Sequence, residues 1–261
     1  MSARHYHLGL ADTPWVTLSP GDIRQPRAGH LHLWRTPLLG REKDVATAKT
    51  FLSTAELARA ARFHYARDHV AYVITRSTLR RILGRCLRRN PRTLEFVYGS
   101  FGKPALVTDD PSTTLQFNVA HAGGYALLGF TTGADLGVDL EPENDDLEIF
   151  RLIDRYFSPE ETKQVMALPV ADRVPAFFRT WTRKEAFIKA NGAGLSLPLE
   201  QFGVSVGINE PTRLRRIDWA PDEVDQWALG SFMVAERLPG AAVTGGKLEQ
   251  VCYYDVPATW F

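Results

Sequence analysis

The sequence predicts an α+β fold made of two similar halves, each a small, mainly antiparallel sheet packed on helices. Three pairs of matching stretches, in the same order along the chain, indicate the repeat. In the first pair, Phe51–Glu56 and Tyr156–Glu161, two apolar residues precede a serine with an acid three residues later, the capping-box pattern of a helix start. The other pairs match Thr75-Arg76 with Thr182-Arg183 and Tyr125–Phe130 with Trp227–Phe232. We expect a pseudo-two-fold arrangement of residues 1–134 and 135–261.

Composition narrows the class of protein. The chain has 261 residues, of which 44% are hydrophobic and 23% charged, as is typical of globular proteins. A net charge of +1 argues against binding nucleic acid or membranes through bulk charge. The two cysteines show no disulfide or metal-binding spacing, and no apolar run reaches the length of a membrane span. We therefore expect a cytoplasmic protein that binds neither nucleic acid nor membrane.

Two helices are predicted in the first half. Ser53 is the expected N-cap of the first, with Glu56 at its third position, and the helix is predicted to continue through Arg59, Arg62 and Phe63. The second is predicted from about Asp68 to Leu87. Arginines make both helices locally basic, which is compatible with a solvated face or with a site for a phosphate-rich ligand. These arginines are Arg59, Arg62, Arg76, Arg80 and Arg81.

A β-hairpin follows the helices. Leu115–His121 alternates as a strand does, Ala122–Gly124 makes the turn, and Tyr125–Phe130 is the partner strand. His121 thus lies beside a glycine turn whose backbone N–H groups suit an anion, although a lone histidine is more often structural. A second turn, upstream, presents Lys103 between a glycine and a proline.

Two carboxylates follow on one predicted strand. In Leu136–Pro142, Asp139 and Glu141 share one face and the apolar residues share the other. Carboxylates this close repel one another unless they are solvated or bridged by a cation, and oxygen ligands favour Mg²⁺. An ordinary polar strand edge is the alternative.

The stretch 176–192 is predicted to be a helix that ends at Gly192. Phe177, Trp181 and Ile188 recur at helical spacing and predict a buried stripe. Glu185 and Lys189, four residues apart, point the same way from an adjacent face. By itself this pair is typical of an exposed ion pair; the acids at 139 and 141 make a shared site plausible.

These stretches resemble the signature blocks of a known enzyme family. His121–Gly123, Gly137–Glu141 and Trp181–Lys189 are similar to the conserved blocks of the 4′-phosphopantetheinyl transferases, and Phe101–Pro104 is similar to the Gly-Lys-Pro turn of the Sfp-type branch. The resemblance covers roughly residues 50 to 205. It implies a monomeric pseudo-dimer of the holo-[acyl-carrier-protein] synthase type. Such enzymes move the phosphopantetheine arm of coenzyme A onto a serine of an apo acyl- or peptidyl-carrier protein.

The resemblance also implies roles for individual residues. Asp139, Glu141 and Glu185 would hold Mg²⁺ against the coenzyme A pyrophosphate, and Asp139 would be part of the catalytic set. Glu185 is also the candidate general base, and the sequence leaves open which of its two roles dominates. Lys189 would lie beside the pyrophosphate and assist the leaving group. The remaining coenzyme A contacts would come from Arg62, Arg76, Lys103, Pro104 and His121.

Two features bear on the ligands. The family often has serines beside the histidine, whereas this chain has Ala120 and Ala122, so backbone N–H groups or arginines must replace two hydroxyl donors. Leu147, Ile149 and Phe150 are hypothesised to form an apolar docking surface for the carrier protein, or else the core face of the next helix.

Two other functions remain open from the sequence. The three acids with a nearby lysine could form a metal-dependent nuclease centre, although nucleases of this kind usually place the lysine two residues after an acid on a strand. A non-catalytic module that binds coenzyme A or a carrier protein is the other. The complete set of three acids and Lys189 argues against it.

Overall fold

The computed structural model describes residues 14–108, 115–194 and 197–261. The helices are α1 Val45–Lys49, α2 Thr54–Ala60, α3 Ala66–Leu87, α4 Ile149–Tyr156, α5 Pro159–Met166 and α6 Val170–Asn191. The strands are β1 Val16–Thr17, β2 His30–Pro37, β3 Phe96–Tyr98, β4 Pro104–Leu106, β5 Leu115–Ala122, β6 Tyr125–Thr132, β7 Leu136–Leu140, β8 Phe202–Val204, β9 Leu214–Ile217, β10 Trp227–Ala235, β11 Leu238–Gly245 and β12 Gln250–Asp255.

The sheets confirm the predicted α+β fold and its internal repeat. One sheet has the order β1-β12-β2-β6-β5 and the other β10-β11-β7, while β3-β4 and β8-β9 are two-stranded. In both main sheets a hairpin, β5-β6 or β10-β11, pairs its second strand antiparallel with an earlier strand of that half, β2 or β7. Helices α2 and α3 in the first half therefore correspond to α5 and α6 in the second.

The strand order corrects one of the three sequence matches. It makes β10 the counterpart of β5, and β11 the counterpart of β6. The match between Trp227–Phe232 and Tyr125–Phe130 was therefore wrong by one strand. Each half contains two neighbouring apolar strands, and only their hydrogen-bonded partners distinguish the first from the second.

Both predicted capping boxes are present, and the acid of the first also forms ion pairs with arginines of the next helix. The Ser53 hydroxyl accepts from the Glu56 N–H, and Ser158 accepts from Glu161 in the same way. The Glu56 carboxylate is buried and forms ion pairs with Arg76 at 2.7 Å and Arg80 at 2.5 Å. A solvated face was therefore the wrong interpretation for these two arginines, which neutralise a buried acid.

Two helix boundaries differ from expectation. Helix α2 ends at Ala60, before Arg62 and Phe63, where the Ala60 carbonyl is hydrogen-bonded to the His69 ring at 2.8 Å. Helix α6 begins at Val170 and contains Pro175, which the prediction had left outside. The proline removes one backbone donor near the helix start. Burial of the next residues, among them Phe177 and Phe178, offsets that loss. The predicted end is confirmed, since Gly192 has φ +80°.

Close packing of α6 on β7 sets up the candidate site. A Cβ atom at Gly137 would lie 2.0 Å from the Ala186 carbonyl oxygen and 2.3 Å from the Ala190 nitrogen. Only glycine allows this approach of strand to helix backbone. As a result, side chains of β7 after Gly137 meet those of α6 near Ala186.

The end of the chain returns to the first half. β12 pairs in parallel with β2, with Val251 opposite Leu31 and Asp255 opposite Arg35. Beyond it, Val256 and Trp260 are buried in the core that α3 covers. No helix in the described part of the chain is both long and apolar enough to cross a membrane.

Candidate active site

Asp139 and Lys189 form the centre of the acidic cluster. Asp139 lies on β7 with 4% of its surface exposed, and its Oδ1 is 2.6 Å from Nζ of Lys189 on α6. The second oxygen, Oδ2, is buried and has no hydrogen-bond partner within the described residues. The interpretation of Glu185 and Lys189 as an ordinary exposed pair was therefore wrong, because the partner of Lys189 is a buried acid from another element.

Glu141 and Glu185 complete the cluster. Burial, followed by the charge of Asp139, raises the pKa of Glu141 to about 7, and Glu185 contributes to the rise. Burial and Asp139 also raise the pKa of Glu185, while Lys189 opposes the rise. The three carboxylates predicted from the sequence are thus brought close enough to repel one another. Lys189 supplies one positive charge to a cluster of three carboxyl groups, so the cluster has an excess of negative charge when these groups are ionised.

This donor set fits a magnesium ion chemically. Hard divalent cations prefer carboxylate oxygens, and the partnerless Oδ2 of Asp139 is a buried acceptor that such an ion would satisfy. No preformed cluster of three metal-ligating side chains is found among residues 14–108, 115–194 and 197–261. Lys189 occupies the first oxygen of Asp139, so an incoming cation would bind beside it or displace it.

The raised pKa of Glu141 predicts how the stability of the metal-free protein depends on pH. The folded carboxyl titrates near pH 7 and the unfolded one near 4.5. Between these values the folded state holds the extra proton, so this contribution to stability is complete below pH 4.5 and is lost as the pH rises through 7. We expect Glu141→Gln to stabilise the protein relative to wild type more at pH 8 than at pH 5, measured by urea unfolding in a metal chelator.

The exposed Glu160→Gln on α5 is the matched control for that series, with the same chemistry away from the cluster. Its stability relative to wild type should not vary with pH between 5 and 8. A Glu141→Gln effect equal at both pH values would contradict repulsion between the buried acids.

Lys103 attaches the β3-β4 hairpin to the end of α6. Its Nζ donates to the carbonyl oxygens of Lys189 at 2.7 Å and Ala190 at 3.4 Å. Burial lowers the pKa of Lys103. Nearby, Phe101 packs on Gly194, where a Cβ atom would lie 2.6 Å from its ring. The Gly-Lys-Pro turn therefore fixes the carbonyl end of the helix that carries Glu185, and Pro104 begins β4 immediately after it.

His121 lies near the end of β5, close to the acids. The Oδ1 atom of Asn118 accepts from the Val138 N–H at 2.8 Å, which holds β5 against β7. The turn after His121 reaches the residue after Glu141, since a Cβ at Gly123 would lie 3.4 Å from Pro142. The His121 side chain is exposed, so it is available to a ligand.

The two arginines predicted to contact coenzyme A differ in their surroundings. Arg76 is paired with Glu56 and also donates to the Tyr98 hydroxyl at 3.4 Å. Arg62 is exposed and lines a cavity on α2 with Arg59 and Phe63. Within the described residues, neither forms an ion pair with the acidic cluster, and their predicted phosphate contacts stay a prediction.

The hypothesised docking residues divide into two kinds. Ile149 is 3% exposed and belongs to the core of the second half, which is the alternative that the sequence left open. Leu147 and Phe150 are 37% and 49% exposed. The surface available to a partner is therefore smaller than expected.

Sequence reasoning missed the contacts that shape the site. Asp139 and Lys189 are 50 residues apart, and Lys103 lies 86 residues from Lys189. The glycine at 137 was the usable signal, since a glycine inside a strand indicates close backbone approach. No comparable signal identified Asn118, whose role depends on which strand lies beside β5.

Comparisons with known proteins give one consistent result. Residues 135–236 match the 4′-phosphopantetheinyl transferase superfamily, and residues 39–132 match the 4′-phosphopantetheinyl transferase N-terminal family. The 4′-phosphopantetheinyl transferase HetI of a Nostoc species is 34% identical over 240 residues, covering 92% of this chain and 94% of the relative. A putative 4′-phosphopantetheinyl transferase of Synechocystis is 36% identical over 185 residues, covering 70% of this chain and 72% of the relative.

Likeness to solved structures is more distant. A holo-(acyl-carrier-protein) synthase from Bacillus anthracis, solved in complex with CoA, is 17% identical and has a TM-score of 0.35. It covers 43% of this chain and 96% of that one, and at this score it carries no weight. The Nostoc relative, similar over nearly the whole length of both chains, carries the assignment: this chain belongs to the 4′-phosphopantetheinyl transferase superfamily.

Proposed function

We propose that this protein transfers the 4′-phosphopantetheine arm of coenzyme A to a serine of an apo acyl- or peptidyl-carrier protein, releasing adenosine 3′,5′-bisphosphate. The observation that carries the proposal is the buried cluster around Asp139, in which one oxygen is paired to Lys189 and the other has no hydrogen-bond partner among the described residues. Family membership supports the reaction class. The finer features proposed with it are the holo-[acyl-carrier-protein] synthase type, Mg²⁺ dependence, a monomeric state and a cytoplasmic location.

The residues of the cluster have distinct proposed roles. The serine oxygen attacks the phosphorus of the pyrophosphate that bears the pantetheine, and the bond from that phosphorus to the bridging oxygen breaks. Glu185 accepts the serine proton, directly or through a water molecule, and its raised pKa suits that role. Lys189 stabilises the negative charge on the leaving bisphosphate.

Asp139, Glu141 and Glu185 would together hold Mg²⁺, which when bound supplies positive charge to the pyrophosphate oxygens. His121 and Lys103 are proposed to contact the nucleotide phosphates, with Pro104 shaping the turn. For Lys103 this requires the side chain to leave the Lys189 carbonyl or to act through its backbone. Arg62 and Arg76 remain proposed contacts only by resemblance.

Intact mass of an apo carrier protein tests the proposal. The carrier is incubated with this protein, coenzyme A and Mg²⁺, and in parallel with a metal chelator. A covalent gain of one phosphopantetheine group that requires metal is the expected result. No gain on a panel of fatty-acid, polyketide and peptide carriers, with coenzyme A still bound, would favour the non-catalytic binding module. Cleavage of DNA in place of transfer would favour the nuclease.

Leu147 and Phe150 are proposed to form part of the carrier-docking surface. We expect the double variant Leu147→Gln and Phe150→Gln to raise KM for the carrier several-fold and to leave KM for coenzyme A unchanged, because both side chains are exposed. Steady-state kinetics with each substrate varied in turn measures this. Val170→Gln is the control, since Val170 is 75% exposed at the start of α6. An unchanged carrier KM in the double variant would remove the docking proposal.

A further inference from the structure

The two halves can be aligned residue by residue through their buried ion pairs. In the first half, Arg80 on α3 binds the capping-box acid Glu56 at 2.5 Å and the Leu94 carbonyl at 3.0 Å. In the second, Lys184 on α6 binds the capping-box acid at 2.7 Å and the Phe202 carbonyl at 2.8 Å. Each carbonyl lies at or just before the first strand of the following hairpin. Arg80 and Lys184 are therefore equivalent positions of the repeat. The sequence match of Thr75-Arg76 with Thr182-Arg183 was accordingly wrong by three residues.

This equivalence identifies the site in the first half, on α3, that corresponds to the acidic cluster of the second half. One residue after the aligned pair, Glu185 of α6 corresponds to Arg81 of α3, and five residues after it, Lys189 corresponds to Arg85. The two helices are both 22 residues long, so the register holds along this stretch. Where the second half has an acid and a lysine, the first half has two arginines, and the local charge is reversed in sign.

A cavity is present at this site on α3. Its volume is about 730 Å³, within the range of small-molecule sites. It lies between the last turn of α3 and the segment before β2. Among the described residues, five arginines and no carboxylate line it, and Phe51 contributes an aromatic wall. The arginines are Arg24, Arg81, Arg85, Arg88 and Arg89.

The anchor of this cavity is Arg81, which is held rigidly. Its guanidinium lies 4.3 Å from the ring centre of Phe51 and 4.5 Å from that of Trp260, and it donates to the Trp260 carbonyl. Burial and then the charge of Arg85 lower the pKa of Arg81 to about 10. A bound anion would relieve that repulsion.

The remaining guanidinium groups have no acid to neutralise them. Arg85, Arg88 and Arg89 are exposed and form no ion pair within the described residues. Exposed arginines of this kind are ordinarily solvated. Here, however, they converge with a rigid arginine on one concave surface, and guanidinium groups bind phosphate oxygens in a bidentate manner. Because the site already carries an excess of positive charge, it would repel a metal cation.

We propose that this arginine cavity is a metal-independent binding site for a small molecule that carries two or more linked phosphate groups. The site is separate from the acidic cluster and does not depend on the proposed transfer reaction. Pyrophosphate, polyphosphate and nucleoside diphosphates share the required chemistry.

Calorimetric titration of the full chain with pyrophosphate, in a metal chelator, tests the proposal. We expect saturable binding that is tighter than binding of inorganic phosphate. The double variant Arg85→Gln and Arg88→Gln should weaken it by about tenfold or more, the loss of one to two charge-assisted hydrogen bonds. Titration with adenosine diphosphate then distinguishes a nucleotide from a simple phosphoanhydride, since only a nucleotide site would bind it more tightly than pyrophosphate.

Two further variants localise the binding. Arg151→Gln with Arg155→Gln on α4 removes the same charge from another surface and should leave the affinity unchanged, as should Lys189→Gln in the acidic cluster. The proposal would be overturned if pyrophosphate did not bind, or if it bound no more tightly than phosphate. It would also be overturned if the α4 control lost as much affinity as the Arg85 and Arg88 variant, or if Lys189→Gln alone lost affinity. Transfer to a carrier by the Arg85 and Arg88 variant should match wild type, so either proposal can fail without the other.

Discussion

Replacing Glu185 by glutamine is expected to lower kcat for phosphopantetheine transfer by about 10²–10⁴-fold, the usual contribution of a positioned general base. Glutamine keeps the shape of the side chain but cannot accept the serine proton. Because burial and then the charge of Asp139 raise the pKa of Glu185, the neutral variant should be at least as stable as wild type. Coenzyme A should still bind, since Lys189, Lys103 and His121 are unchanged.

The measurement is the rate of carrier modification by intact mass, together with thermal unfolding of the same samples. Glu200→Gln, an exposed acid beyond the end of α6, is the control for loss of one negative charge. A variant that keeps more than about a tenth of wild-type kcat would show that Glu185 is not the base. Lost activity with lost stability would point to a structural role instead.

Replacing Lys184 by methionine is expected to cost about 3–5 kcal/mol of unfolding free energy, the cost of breaking a buried ion pair. Lys184 is 0% exposed, and its Nζ lies 2.7 Å from Glu161 and 2.8 Å from the Phe202 carbonyl. Methionine fills the space of the side chain. It leaves the Glu161 carboxylate buried without its counter-charge. Among the described residues, its remaining hydrogen-bond donors are the backbone N–H groups of Ser158 and Val204.

Urea unfolding measures this loss. Adding Glu161→Gln to the lysine variant should recover part of it, because the second change removes the unpaired charge. Arg151→Met is the matched control: its ion pair with Glu148 is 84% and 70% exposed at the two side chains, and breaking it should cost less than about 1 kcal/mol. A loss below 1 kcal/mol for Lys184→Met would mean that the buried pair contributes no net stability.

Features set by neighbouring residues were predictable from the sequence. Both capping boxes, the Gly123-Gly124 turn and the stop at Gly192 depend on a few consecutive residues, and all were found where expected. The candidate acids were also found together, because alternation places Asp139 and Glu141 on one face and helical spacing places Glu185 beside Lys189.

Features set by tertiary packing were not predictable. The sequence pattern of Arg76 and Arg80 is that of a basic surface helix. Both are nevertheless buried, because their guanidinium groups form ion pairs with the buried carboxylate of Glu56. Likewise, Lys103 has the pattern of an exposed turn residue, although it donates to the end of α6. In both cases the decisive partner is 20 or more residues away. Local periodicity gives no information about such a partner.

During synthesis, β2 leaves the ribosome about 220 residues before β12, the strand that lies beside it in parallel. Until β12 is made, one edge of β2 is open, and an open strand edge is a template for pairing with other chains. Val256 and Trp260, which close the core beneath α3, follow β12 in the sequence. The first half is therefore exposed to aggregation until β12 emerges, and this sheet cannot fold half by half.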